Sequence, residues 1–101
     1  SVTWAVRFTA LAEDDVAEAY AWYAVSRDGL GDEFLGDVST VVRTLSEFPE
    51  AGPLTHRELR RMLLLRFPYT VYYRVLPTIT TIEIRGCVHQ RRHPRTWHRR
   101  A

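Results

Sequence analysis

The chain has no lysine; all fourteen of its fixed side-chain cations are arginine. It has a single cysteine, which excludes an intramolecular disulfide and makes a reducing cytoplasm the expected setting. No apolar run approaches the roughly 20 residues needed to span a bilayer, and no signal peptide is visible at the start, so no membrane partner is expected. The last fifteen residues, CVHQRRHPRTWHRRA, contain no acid. No internal repeat, low-complexity segment or linker divides the 101 residues, which suit one domain over residues 1–101.

What is present is unevenly placed. Residues 1–56 carry three arginines against ten acids, and residues 57–101 carry eleven arginines against Glu58 and Glu83 alone. A near-neutral total of +2 thus conceals an acidic first half and a basic second half. Arginine presents a planar fork of donors suited to phosphates, carboxylates and aromatic faces. The second half is therefore where an anionic partner would bind.

Hydrophobic periodicity predicts the elements. Val2, Trp4, Val6 and Phe8 alternate with Thr3, Ala5 and Arg7, the pattern of a half-buried strand. Thr9 can cap a helix, with Glu13, Asp14 and Asp15 in its first turns, where the dipole favours negative charge. Leu11/Ala12, Val16, Ala19/Tyr20 and Tyr23 then recur at helical spacing. Gly29 and Gly31 break that helix, and Asp32 is placed to start a second one. Phe34, Val38, Val41, Leu45 and Phe48 form its core stripe, and Pro49 ends it. From residue 57, RELRRMLLLRF reads as a strand, YTVYYRV as another, and TIEIRGCVH as a third after the turn LPTIT. The order is β-α-α-β-β-β, an α+β fold with two antiparallel N-terminal helices packed on a mainly antiparallel sheet.

Pairing Val75 with Ile82 in the final hairpin sets Arg74 opposite Glu83, Tyr72 opposite Arg85 and Thr70 opposite Cys87. In that register one polar face carries Arg74, Tyr72, Arg85 and His89 and continues into the basic tail with Arg91, Arg92 and Trp97. Three chemistries compete for it. A metal site would use Cys87, His89, His93 and His98, but Pro94 interrupts the segment and the arginines repel a dication, so no metal and no cofactor is expected. A metal-independent ribonuclease would use His89 as general acid or base and Arg85, Arg91 and Arg92 for phosphorane charge. Against it, a cross-strand Glu83–Arg74 ion pair explains the charges without chemistry. A pure binding surface would use the arginines with Tyr72 and Trp97 against phosphates and bases or against an acidic peptide. Cys87 would need an activating base nearby to act as a nucleophile.

Several segments together carry a resemblance: the first helix ending in WY, GLGDEF opening the second, then FP, RFPYTVYYRV and VHQRRHPRTW. Over Val6 to Arg99 the chain resembles the RelE/ParE superfamily of type II toxin–antitoxin toxins, often called plasmid-stabilisation proteins. The resemblance implies two helices on an antiparallel sheet and neutralisation by a cognate antitoxin, whose acidic or amphipathic segment covers the basic face. The RelE branch cleaves mRNA on the ribosome with basic residues on the sheet and often a C-terminal tyrosine. Arg61 falls at its second-strand basic position, and Arg91 or Arg92 at its late arginine. However, Thr70 stands where an arginine follows Tyr69, and Trp97 stands where the tyrosine is expected and cannot donate a phenolic proton. The ParE branch lacks nuclease residues and poisons DNA gyrase. The incomplete nuclease set favours the ParE-like reading, with no catalytic residue and with Arg61, Tyr72, Arg74, Arg85, His89, Arg91, Arg92 and Trp97 as the target- and antitoxin-facing surface. The alternative is a RelE-like mRNA endonuclease in which His89, Arg61, Arg91 and Arg92 act on ribosome-bound RNA.

Overall fold

The first strand and helix form largely where the periodicity puts them. In the computed structural model, which describes residues 3–91, β1 spans Ala5–Phe8 and α1 spans Ala10–Ser26. Val2 lies outside the described residues. Thr9 is the N-cap, its hydroxyl accepting the Ala12 N–H at 3.2 Å and so satisfying one of the orphan donors of the first turn. Ala12 and Ala19 are buried, with Val16 and Tyr23 packed beside them, whereas Leu11 and Tyr20 are exposed.

The second helix, α2, spans Leu30–Glu47 and starts earlier than Asp32. Its N-cap is Gly29 at φ +82, a left-handed conformation that costs glycine little, so the chain reverses in a tight turn. Asp32 instead sits with Glu33 in the first turn. Phe34, Val38, Val41 and Leu45 are buried as the stripe requires. Phe48 departs from it: the residue is the C-cap, outside the helical conformation, and is exposed.

Among the described residues the sheet has five strands, β1 included, rather than the expected four. β2 (Leu54–His56) and β3 (Leu59–Leu63) form a short hairpin, β4 spans Tyr69–Leu76, and β5 spans Thr81–His89. Their order is β1-β5-β4-β3-β2; β1 runs parallel to β5, and the remaining pairs are antiparallel. Two helices on this mainly antiparallel sheet give the expected α+β class. The segment read as one long strand from Arg57 to Phe67 is strand only over part of its length. Buried Asp37 on α2 explains the rest, because its carboxylate accepts the N–H groups of Leu65, Arg66 and Phe67 at 3.1, 2.8 and 3.0 Å. Those donors are thereby lost to a ladder, so Leu64 and Phe67 turn into the core while Leu65 is exposed.

The final hairpin holds the main departure. Val75 pairs with Ile82, Arg74 with Glu83 and Tyr73 with Ile84, as expected, but the register then shifts. Tyr72 lies opposite Gly86, Val71 opposite Cys87, Thr70 opposite Val88 and Tyr69 opposite His89. Arg85 is the extra residue of a β-bulge, which reverses the facing of every residue after it. Cys87 therefore enters the helix-side core with Val71 and Ile84, and Val88 packs on the opposite face with Leu59 and Tyr72.

Candidate functional site

The sheet face turned away from the helices gathers most of the candidate residues. Arg61 and Tyr72 are neighbours across β3 and β4, and Tyr72 packs over Leu59 and Val88. This second apolar cluster joins the arginine-bearing strands on the face that neither α1 nor α2 covers. Arg61 is exposed and has no ion-pair partner among the described residues. Arg74, one strand further, is hydrogen-bonded to the carboxylate of Glu58. A small cavity of about 180 Å³ opens here between Arg57, Glu58, Leu59, Arg74 and Arg85.

The expected Glu83–Arg74 pair does not form, although the two residues are cross-strand neighbours. Glu83 is the register partner of Arg7 on the other side, and its Oε2 accepts from Arg7 Nε and Nη2 at 3.2 and 3.0 Å. Its Oε1 accepts from Arg85 Nε at 2.9 Å, two residues further along the same strand face. Burial raises the Glu83 pKa, but the hydrogen bonds from Arg85 and Arg7 outweigh it and hold the carboxyl below its ordinary range. Arg74 is left to Glu58 because Glu83 is already bridged between two arginines. The face is thus a row of arginines, partly tied by carboxylates, with Arg61 at its solvent-exposed end.

His89 is not on that face. The bulge carries it to the helix side, where its ring meets Tyr69 edge-on with centroids 5.2 Å apart. Its Nδ1 accepts the Arg91 N–H at 3.1 Å, and its ring borders a cavity of about 540 Å³ between α1 and the ends of β4 and β5. Asp15, Glu18 and Trp22 from α1 form the opposite wall. The sheet therefore separates the histidine from Arg61, Tyr72, Arg74 and Arg85. Arg91 is exposed at the turn after β5, and Arg92, His93, Trp97 and His98 lie outside the described residues.

Cys87, which shared the expected polar face, is buried on the helix side. Burial, with the Asp15 and Asp37 carboxylates nearby, pushes its thiol up to about 12. A thiol so protonated at neutral pH is a poor nucleophile and a poor metal ligand.

Two acids organise the site: Asp37, to which the sequence assigned no role, and Asp15, expected only to favour the helix dipole. Asp37 fixes the loop between β3 and β4. Asp15 accepts the Cys87 N–H at 3.0 Å and so satisfies a donor that β1, ending at Phe8, does not reach. Asp37, in mid-helix, reads as a solvated charge, and Gly86 beside the bulge is the hint in the sequence of the irregular strand that Asp15 meets.

Solved structures with this fold support the architecture. The chromosomal ParDE toxin–antitoxin system of P. aeruginosa superposes with a TM-score of 0.68 at 22% identity, covering 88% of this chain and 98% of that one. The RelBE2 toxin–antitoxin complex of Mycobacterium tuberculosis gives 0.63 at 23% identity, covering 87% and 99%. The intact E. coli RelBE complex gives 0.64 at 13% identity, covering 88% and 99%. Among curated proteins, none matches this sequence. The sequence pattern of the family described as the ParE toxin of the type II toxin–antitoxin system, parDE, matches residues 6–94, and the chain belongs to that family.

Proposed function

We propose that the chain is a ParE-like toxin that inhibits DNA gyrase by binding, without catalysis, and is neutralised by a cognate antitoxin. The observation that carries this reading is the placement of His89. A metal-independent ribonuclease needs its proton-transfer group within hydrogen-bond reach of the phosphate that its cations hold. Here the arginines of the open face, Arg61, Arg74 and Arg85, lie on the opposite side of the sheet from the histidine, so that among the described candidate arginines Arg91 alone stands beside it. Cys87 and Glu83 do not replace it, the thiol being buried and protonated and the carboxylate bridged between Arg7 and Arg85.

The open face has the chemistry of a protein-docking surface. Arg61 and Arg74 flank Tyr72 on adjacent strands, a cationic row around a partly buried aromatic. Arginine and tyrosine are favoured anchors in interfaces, and charge-assisted hydrogen bonds to carboxylates suit an acidic antitoxin segment. Arg74–Glu58 and Arg85–Glu83 keep the guanidinium groups ordered before a partner arrives, and an incoming carboxylate can exchange for the exposed Glu58 at little cost. An antitoxin covering the row would hide the same residues from the target.

The test is a supercoiling assay with purified gyrase and toxin, set beside mapping of mRNA 5′ ends after induction. Loss of supercoiling or trapped cleaved DNA, with no new ribosome-dependent mRNA ends, is expected. Codon-phased mRNA cuts with unaffected gyrase would replace this reading with the RelE-like one.

A further inference from the structure

The hairpin that joins β2 to β3 turns through Arg57 and Glu58, and both residues line the small cavity on the open face. Arg57 has φ +55, in the left-handed region that residues other than glycine rarely adopt. Such a conformation persists only where its surroundings fix it. Here it accompanies a side chain that lines the cavity beside Arg74 and Arg85. Three guanidinium-bearing side chains thus border a space of about 180 Å³, with buried Leu59 as its apolar wall.

The three arginines are not equivalent. Arg85 is held by Glu83, whose side chain is only 14% exposed and is shared with Arg7. That carboxylate is engaged at both oxygens and stays in place. Arg74 is held by Glu58, whose side chain is 74% exposed and has no second ion pair among the described residues. Arg57 has no ion-pair partner among the described residues. Three cations therefore meet two carboxylates, and one of the two is a loosely held surface residue. The Glu58 contact also shows which anion suits the place: a carboxylate already rests on the Arg74 fork.

We infer that Arg57, Arg74 and Arg85 form a carboxylate-binding subsite of the open face, and that Glu58 is its resident occupant, which an acidic segment of a partner protein displaces. The exchange conserves the ion pair on Arg74 and adds a contact to Arg57 that Glu58 does not make. An isolated carboxylate gains little from it, because Glu58 competes at the high effective concentration of a tethered group. A segment that presents several carboxylates gains more, since neighbouring Arg61 is also open to it. Glu58 thus sets a threshold that favours a multiply acidic partner over stray anions. This deepens the docking reading of the open face and rests on it, but it does not depend on gyrase being the target.

The test follows a fluorescein-labelled hexaglutamate peptide by fluorescence anisotropy, with amide shifts to locate it on the protein. The signals of Arg57, Leu59 and Arg74 should move on titration. Glu58→Gln should tighten binding about threefold, the effect of removing one exposed competing ion pair. Glu13→Gln makes the same change of net charge on exposed α1 and should tighten it far less in physiological salt. In an Arg74→Gln background the extra gain from Glu58→Gln should vanish. Arg57→Gln should weaken binding about threefold. Arg57→Gly, which suits the left-handed backbone, gives the same test if the glutamine variant is unstable. Equal tightening by Glu58→Gln and Glu13→Gln, or a gain that survives Arg74→Gln, would overturn the inference while leaving the docking face intact. Peptide shifts absent from the open face in every variant would overturn both. Inorganic phosphate displacing the peptide at lower concentration than malonate, of similar charge, would overturn the assignment to carboxylates.

Discussion

The Asp15 carboxylate on α1 accepts the backbone N–H of Cys87 on β5 at 3.0 Å, joining residues seventy-two positions apart. This bond lies just past the bulge, where β5 has outrun β1 and its outer edge faces the helix. Thr9, the α1 cap, approaches the same edge, its hydroxyl 3.5 Å from the Arg85 carbonyl. The helix thereby accommodates an irregular strand edge, and that edge decides which side chains reach each face.

Asp15→Ala should therefore destabilise the protein by about 1–3 kcal/mol, the cost of stranding a buried donor. Asp15→Asn keeps an acceptor and should recover much of the loss. Urea denaturation of the three proteins checks the order. An alanine variant as stable as the parent would mean that the Cys87 N–H finds another acceptor.

The Cys87 thiol should be inert to thiol reagents in the native protein near pH 8, since burial raises its pKa to about 12. Labelling should then follow opening of the fold and accelerate in urea. Rapid stoichiometric labelling under native conditions would contradict its placement beneath α1.

How much of this was legible in the sequence depended on parity. The α2 stripe, the Thr9 cap and the Val75–Ile82 register follow from spacing, because each rests on a period that local residues can signal. One inserted residue at Arg85 changes the parity of the rest of β5, and no local pattern in GCVH distinguishes the two registers. Cys87 and Val88 are both apolar enough for the core, so either phase reads well. Likewise the choice of Arg7 and Arg85 by Glu83, leaving Arg74 to Glu58, depends on β1 lying beside β5. That long-range parallel pairing cannot be read from the hairpin alone. The Met62–Leu65 run suggested a strand because the acceptor that ends the ladder, Asp37, lies on another element.

Asp37→Ala should cost about 3 kcal/mol or more, because it leaves three buried or partly buried N–H groups without their charged acceptor. Hydrogen exchange should accelerate selectively at Leu65, Arg66 and Phe67. Unchanged protection there would show that the loop is held by Leu64 and Phe67 packing alone.

The lowered pKa of Glu83 gives stability a pH dependence of known sign. A carboxyl more acidic in the folded than in the unfolded chain stabilises the fold above its ordinary range, and the contribution is lost as pH falls through the lowered value. Stability should thus decline as the pH drops below about 4. Glu83→Gln should flatten part of that decline while lowering stability at neutral pH. Parallel pH profiles for parent and variant would contradict the Arg7–Glu83–Arg85 bridge.

On the proposed reading the open arginine face acts by binding and His89 takes no part in chemistry. The most direct measurement compares His89→Ala with Arg61→Ala and the parent in the supercoiling assay with purified gyrase, supported by growth arrest on induction. Arg61→Ala, which removes an exposed cation that has no ion pair among the described residues, should weaken inhibition by roughly tenfold, the effect of about 1.4 kcal/mol of binding. His89→Ala should inhibit like the parent. Abolition of toxicity by His89→Ala in a folded protein, together with loss of mRNA cleavage, would contradict the account.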